Sequence, residues 1–458
     1  VAIAVVATAT VVGTWLGLGR WLVVVAVGAA AAAPWRSRSF VVLVVLVAMF
    51  GAARGDRAWV EAQPRRLGPF DGWAMVVTDP APSARGTSVV LELDGERFGA
   101  SVYGSIGRRL RLREAGEWVR ITANRVADSG TWARRARVRH VVGRVEITSV
   151  AMSVPGSPVA RLSNAVRGAL RGAAGAAMPA DRAALFTGLV IGDDTRQPAE
   201  MIDRFRTVGM SHLTAVSGQN VGYVITVAGV VLTRWSRWPR LAGTLAVIAW
   251  FVILTRVEPS VLRAGTMAAL GAVAMALGRE RSPARVTCLA VIVLVLVDPL
   301  LVWSVGFWLS VGATLGVSVI APRLDARLAG PAWLTSTLAV TLGAQIGVLV
   351  PSWMVFGRMP VTGIVANLAA VPVAGFVMLF GIPAGLLAAL VGPTLGGIVL
   401  LPAELGTAWV DLVSRVAVRV EPHGGVAVVA WAVQIAAIGS LVVARRRSDP
   451  PAGRMEGS

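Results

Sequence analysis

Apolar residues in this chain come in runs long enough to cross a bilayer, which takes roughly 20 residues. The runs are Val1 to Val25, Phe40 to Ala53, and an almost unbroken block from His212 to Ala444. The pattern predicts a polytopic α-helical membrane protein with about ten to twelve spanning helices. Three short spans open it, near residues 1–18, 21–34 and 39–53. Arg36 and Arg38 put the loop between the second and third in the cytoplasm by the positive-inside rule, so the third span leads outward. Arg445, Arg446 and Arg447 then return the C-terminus to the cytoplasm. The first apolar segment is followed closely by two more and reads as a retained anchor, part of an N-terminal unit of residues 1–53.

The periodicity changes between residues 54 and 155. Here 17 arginines and 11 acidic residues fall between Arg54 and Val150, with no spanning run. Apolar residues alternate in five short stretches: Trp73 to Thr78, Ser88 to Leu93, Phe98 to Tyr103, Trp118 to Asn124 and Val141 to Ile147. Turn formers such as Asp94-Gly95 separate them. This predicts a small extracytoplasmic β-barrel insert of the OB type. Residues 156–211 mix arginines with Leu162, Val166, Leu170, Leu185, Phe186 and Phe205, predicting amphipathic helices at the membrane interface. Residues 212–447 form the main helical block, and 448–458 read as a disordered cytoplasmic tail.

Composition sharpens this picture. Hydrophobic residues are 55% and charged residues 15%, the balance of a chain whose solvent is lipid. The net charge is +19 and every basic residue is arginine. Guanidinium binds phosphate in a bidentate manner, so nucleic acid and anionic lipid are both admissible partners. With no lysine, a standard ATP-binding P-loop is excluded. One cysteine, Cys288, precludes a disulfide framework, and the three histidines are too scattered for a hydrolytic metal centre. No cofactor, metal or catalytic group is expected.

Polar groups within spans are costly, and each is a functional candidate. The densest group runs from His212 to Gly222. On a helix His212 and Gln219 share a face, and Ser217 with Asn220 forms a neighbouring stripe. These groups either line a wet path or act as packing contacts between helices. Arg263, near the start of a span, either pairs with Glu258 or presents a positive charge to a passing phosphate. Asp193 and Asp194 read as interfacial caps or as partners of Arg204 and Arg206. In the insert, Arg109, Arg111 and Arg113 are spaced by two, as are Arg135, Arg137 and Arg139. On strands each set would share a face, with Trp118 as a stacking surface for single-stranded DNA. Alternatively they mark a solvated face.

Gly188-Leu-Val-Ile-Gly192-Asp193-Asp194, then Phe205 and Gly209, then His212-Leu-Thr-Ala-Val-Ser-Gly218 resemble the signature of the ComEC family of competence proteins. Arg263, Met267, Asp298-Pro299, Gly306-Phe307-Trp-Leu-Ser310, Phe356, Asn367 and Pro372 follow in similar order. The resemblance spans residues 54–440. It implies a channel in the bacterial inner membrane that carries single-stranded DNA into the cytoplasm during transformation, and no enzyme. Gln219-Asn220 stands where members more often have Leu-His. The metallo-β-lactamase-like domain of many members has no counterpart in these residues. A separate DNA receptor, nuclease, and cytoplasmic motor or strand-binding proteins are therefore implied partners, and a homo-oligomer is left open. Two other classes fit parts of the pattern. A secondary transporter is suggested by Gly- and Pro-interrupted helices. An intramembrane serine protease built on Ala215-Val-Ser-Gly218 lacks a histidine base within reach of Ser217.

Overall fold

The computed structural model describes residues 2–16, 38–83, 86–214, 218–279, 282–356, 360–427, 429–434, 436 and 440. The expected span at 21–34, Arg36, Ser217, Arg445 to Arg447 and the tail lie outside them.

Two helices, α1 (Ala2–Leu16) and α2 (Arg38–Glu61), precede the insert. The insert comprises β1 (Gly68–Val76), β2 (Ala81–Ser83), β3 (Gly86–Leu93), β4 (Glu96–Val102), α3 (Gly104–Arg111), β5 (Trp118–Ala127), α4 (Gly130–Arg137) and β6 (Val141–Val154). Side chains on β5 alternate strictly between exposed and buried from Trp118 to Arg125, as a strand with one covered face requires. Phe70, Leu91, Phe98, Leu110 and Ile121 fill the core beneath it. Asp94 and Gly95, both at positive φ (50° and 81°), turn β3 into β4. The strands form one six-stranded sheet of order β1-β5-β6-β4-β3-β2. Only β4 and β6 are parallel. β1 also touches β3 through Met75↔Glu92 and Val76↔Leu91. The expected barrel is thus a sheet and not a closed barrel, its ends meeting only along that short seam.

The helical block contains α5 (Pro158–Ala177), α6 (Ala180–Ile191), α7 (Ala199–Thr207), α8 (Ser211–Thr214), α9 (Gly218–Leu232), α10 (Arg237–Leu254), α11 (Pro259–Ala276), α12 (Pro283–Val297), α13 (Val305–Leu315), α14 (Ala321–Asp325), α15 (Ala332–Phe356), α16 (Gly363–Val391) and α17 (Pro393–Val420). Among the described residues six helical stretches are long and apolar enough to cross a membrane: 237–254, 259–276, 305–325, 334–355, 363–391 and 393–420. The other spans of the expected ten to twelve would fall on shorter apolar helices, such as 3–12, 218–232 and 283–297, or outside the described residues. Helices α9 and α12 are apolar but have 15 residues each, only about 22 Å of rise. A hydropathy run does not register such breaks as the turn at Gly278 (φ 67°).

Residues 158–207 pack into this block instead of lying along its surface. Leu170, Leu185, Phe186, Leu189 and Phe205 join Ala370, Ala374, Val377 and Leu400 in the largest apolar cluster. Glycines permit the approach: a Cβ on Gly385 would stand 2.4 Å from Leu170 and one on Gly381 2.4 Å from Val190. A tighter crossing joins α13 and the π-helical turn after it (Gly316–Ile320) to α15, where Gly312 and Gly316 face Gly343 and Gly347. A Cβ at Gly316 would stand 2.0 Å from the Gly343 carbonyl oxygen. Small residues four apart on both helices are what allows backbones to meet in lipid.

Candidate functional site: the junction between insert and helical block

The family-like motif begins with a helix stop. Helix α6 ends at Gly192, whose φ of 65° is left-handed. The Gly192 and Asp193 amides donate back to the Gly188 and Thr187 carbonyls at 3.0 and 3.2 Å, satisfying the helix end. Gly188 also gives room to the Gln197 amide, from which a Cβ there would lie 2.1 Å.

That stop aims Asp193 into a buried ionic cluster. Arg171 Nε donates to Asp193, and Arg167 lies 3.6 Å away. Asp79, from the insert, accepts from Arg167 at 3.1 Å, Arg171 at 3.3 Å and Arg256 at 2.8 Å. Glu114 of the insert receives Arg171 Nη1 at 2.8 Å. Arg256 also donates to Asn164 Oδ1 at 2.7 Å, from a backbone at φ 62°. Three carboxylates thus meet three guanidinium groups and the charge cancels. Burial alone would push the Asp193 carboxyl up, but the hydrogen bond and charge of Arg171, with Arg167 and Thr195, hold it at about 2. Asp79 is likewise held below its usual range: burial opposes ionisation and Arg256 and Arg167 outweigh it. The expected pairing of Asp193 or Asp194 with Arg204 and Arg206 is corrected. Arg204 instead pairs with Asp411 and donates to Ser414 Oγ at 2.9 Å, and Arg206 pairs with Asp203 at 2.9 Å. Residues 79, 114, 167, 171 and 256 carry no motif signal, because the partners lie up to 177 positions apart.

A second contact crosses the junction. Asp298 accepts from the Leu300 amide at 3.1 Å, capping the short 3-10 turn Pro299–Trp303. Its other oxygen stands 2.9 Å from His140 Nε2. Asp298-Pro299 therefore both shapes the chain between α12 and α13 and docks the insert.

Arg263 is different in kind. It is buried in α11, 4% exposed, with Nη2 donating to the Gly306 carbonyl at 2.9 Å and the guanidinium 5.9 Å above the Phe307 ring. Nε and Nη1 have no hydrogen-bond partner, and Glu258, the alternative partner expected from the sequence, acts on it through its charge with no direct ion pair among the described residues. Asn220 is also buried, and donates to the Leu189 carbonyl at 2.8 Å, tying α9 to α6. His212 and Gln219 are exposed. Gly218 sits 3.0 Å, by a built Cβ, from Ala264 of α11, and Gly209 (φ 72°) an equal distance from Pro360. Ser310 accepts from Thr314 through its carbonyl, and Asn367, 9% exposed, has an unpartnered Oδ1.

The insert's arginines are not on strands. Arg109 and Arg111 lie on α3, Arg135 and Arg137 on α4, with Arg113 and Arg139 just past the helix ends. Both segments begin at a positive-φ glycine, Gly104 and Gly130, and carry three arginines in the last turn, where cations favour the helix dipole. On a helix a spacing of two turns side chains about 200° apart, so neither trio shares a face. Arg109 donates to the Val150 carbonyl at 2.8 Å, Arg111 to Thr87 at 2.7 Å and Arg113 to Ser153 at 2.6 Å. These three brace the insert. Arg135 and Arg139 are exposed, and Trp118 is 40% exposed.

Fold and junction together define a multi-pass membrane protein with a β-rich insert docked by buried charge. The family described as competence protein matches residues 189–447, more than half of the chain, and the chain belongs to that family, in agreement with its ComEC-like motifs. It is 27% identical over 244 residues to ComE operon protein 3 of Bacillus subtilis (strain 168), covering 52% of this chain and 31% of that protein. It is 28% identical over 231 residues to the uncharacterized protein YcaI of Escherichia coli (strain K12), covering 46% of this chain and 30% of that one. The matched regions thus span about a third of the curated relatives. No solved structure matches.

Proposed function

We propose that this chain is an inner-membrane conduit for single-stranded DNA during natural transformation, acting as a channel and not as an enzyme. The observation that carries the reading is Arg263. A guanidinium buried within a membrane block, with two nitrogens unsatisfied, is a site awaiting an anion, and a phosphate of a threading strand supplies one. Buried charge of this kind is maintained in lipid for function. His212 and Gln219, near the start of α9, line the approach. Asn220 holds α9 in place.

The insert is an OB-type module on the extracytoplasmic side. Its support is the double pairing of β1, with β5 along its length and with β3 at Met75 and Val76, plus the parallel β4–β6 pair. The sidedness rests on charge. The connections carrying Arg234 and Arg237, Arg279 and Arg285, and Arg323 and Arg327 alternate with those at Arg256 and Asp298, which touch the insert. By the positive-inside rule the arginine-rich connections are cytoplasmic and the insert is outside. Arg135, Arg139 and Trp118 receive the strand there. A DNA receptor, a nuclease and a cytoplasmic motor complete the path.

The test is entry of labelled DNA into a strain deleted for this gene and complemented with the wild-type chain. Deletion should abolish internalisation while DNA bound at the surface persists; unchanged internalisation would refute the conduit.

A further inference from the structure

We infer that the cleft between the end of α2 and helix α4 is a binding site for the phosphate headgroup of an anionic phospholipid in the outer leaflet. The cleft measures about 380 Å³ and is lined by Trp59, Asp128, Gly130, Ala133, Arg134 and Arg137. Its electrostatics are one-sided. Asp128 is already neutralised by Arg144 at 2.8 Å, leaving Arg134 and Arg137 as its uncompensated charges. Arg134 lies over the Trp59 ring at 5.5 Å, which fixes one guanidinium at the rim. Arg137 Nε is shielded from solvent and has no partner, a donor directed at something the protein does not provide.

The height of the cleft selects a lipid over other phosphates. Helix α2 is apolar from Phe40 to Ala53, and exposes Leu46 and Phe50, side chains suited to acyl chains. Trp59 is six residues beyond Ala53, about 9 Å of helix, which falls at the headgroup layer flanking the hydrocarbon core. Trp59 packs edge-on against Trp303 with ring centroids 5.2 Å apart, an aromatic pair of the kind that marks that layer. Trp132, 78% exposed on α4, and Val60, 69% exposed on α2, flank it and suit the acyl boundary. A strand approaching from water has no need of these apolar neighbours. Arg137, one of six arginines that spacing alone would give to DNA, is hereby assigned to lipid. The inference requires that α2 cross the bilayer and rests on the extracytoplasmic placement of the insert proposed above; it does not rest on conduction of DNA.

The test is native mass spectrometry of the full chain in detergent, with phosphatidylglycerol or phosphatidylcholine of identical acyl chains added at matched concentration. Phosphatidylglycerol should be retained in roughly tenfold preference, since both lipids offer one phosphate but only phosphatidylcholine adds a choline cation, which two arginines repel. The Arg134→Gln/Arg137→Gln variant should lose that preference, while Arg108→Gln/Arg120→Gln, which removes the same charge outside the cleft, should keep it. If the double variant fails to fold, Arg134→Gln alone should weaken the preference. Equal retention of both lipids, or a preference unchanged by the cleft variants, would overturn the assignment. So would displacement of bound phosphatidylglycerol by a single-stranded oligonucleotide, which would make the cleft a nucleic-acid site.

Discussion

Two buried arginine sites in this protein sit under opposite rules. At the junction, Arg167, Arg171 and Arg256 meet Asp79, Asp193 and Glu114 at hydrogen-bonding distances. In α11, Arg263 has one carbonyl, one aromatic face and two idle nitrogens. Removing one partner from a compensated cluster leaves an orphaned charge and destabilises the fold. Removing a buried charge that has no direct ion pair leaves no hydrogen-bonded carboxylate orphaned and harms chiefly what that charge serves. The difference separates a structural site from a functional one without reference to motif.

The largest effect should come from Arg167→Ala. It leaves three buried carboxylates facing two guanidinium groups, Arg171 and Arg256, and should cost about 3–5 kcal/mol, seen as a lower thermal midpoint of the detergent-solubilised chain and faster proteolysis of the insert. Acid should act on the same cluster. A carboxyl held at about 2 in the fold, against 3.8 in the unfolded chain, contributes stability that is full above 3.8 and is lost as pH falls towards 2. The integrated contribution is about 2 kcal/mol. Asp193→Asn should flatten the fall in unfolding midpoint over that range; an unchanged slope would show that another group governs it. Asn220→Ala should cost about 1–2 kcal/mol by leaving the Leu189 carbonyl without its buried donor, measured by the same melts. The smallest effect belongs to Arg206→Ala, an exposed pair with Asp203, worth under about 0.5 kcal/mol. A large loss there would blur the distinction drawn above.

The sequence made one half of this comparison legible and concealed the other. Arg263 is conspicuous as a charge within an apolar run, and Asp193 belongs to a recognisable Gly-Asp segment. Asp79 and Arg256 were invisible, because an ion pair between residues 177 positions apart leaves no local trace. The alternation of Val119, Ile121 and Ala123 identified β5 correctly. The two arginine trios did not read true, since a spacing of two among charged residues fits a strand face and a helix end equally. The helix starts at Gly104 and Gly130 become evident only through the positive φ that the structure gives both. Hydropathy located the membrane block but blurred its helix count, because 15-residue helices and their turns share one apolar run. The Gly312/Gly316 and Gly343/Gly347 crossing was printed in the sequence as two spaced glycine pairs, and acquired meaning only when the helices met.

The most direct test of the account is the uptake of labelled single-stranded DNA by cells carrying Arg263→Gln, with inserted protein quantified in the same cells. The account predicts normal insertion and an unfolding midpoint no lower than wild type, with internalisation reduced at least about tenfold and partly restored by Arg263→Lys. A variant that melts early while each surviving molecule imports DNA normally would place Arg263 among the structural charges and contradict the account.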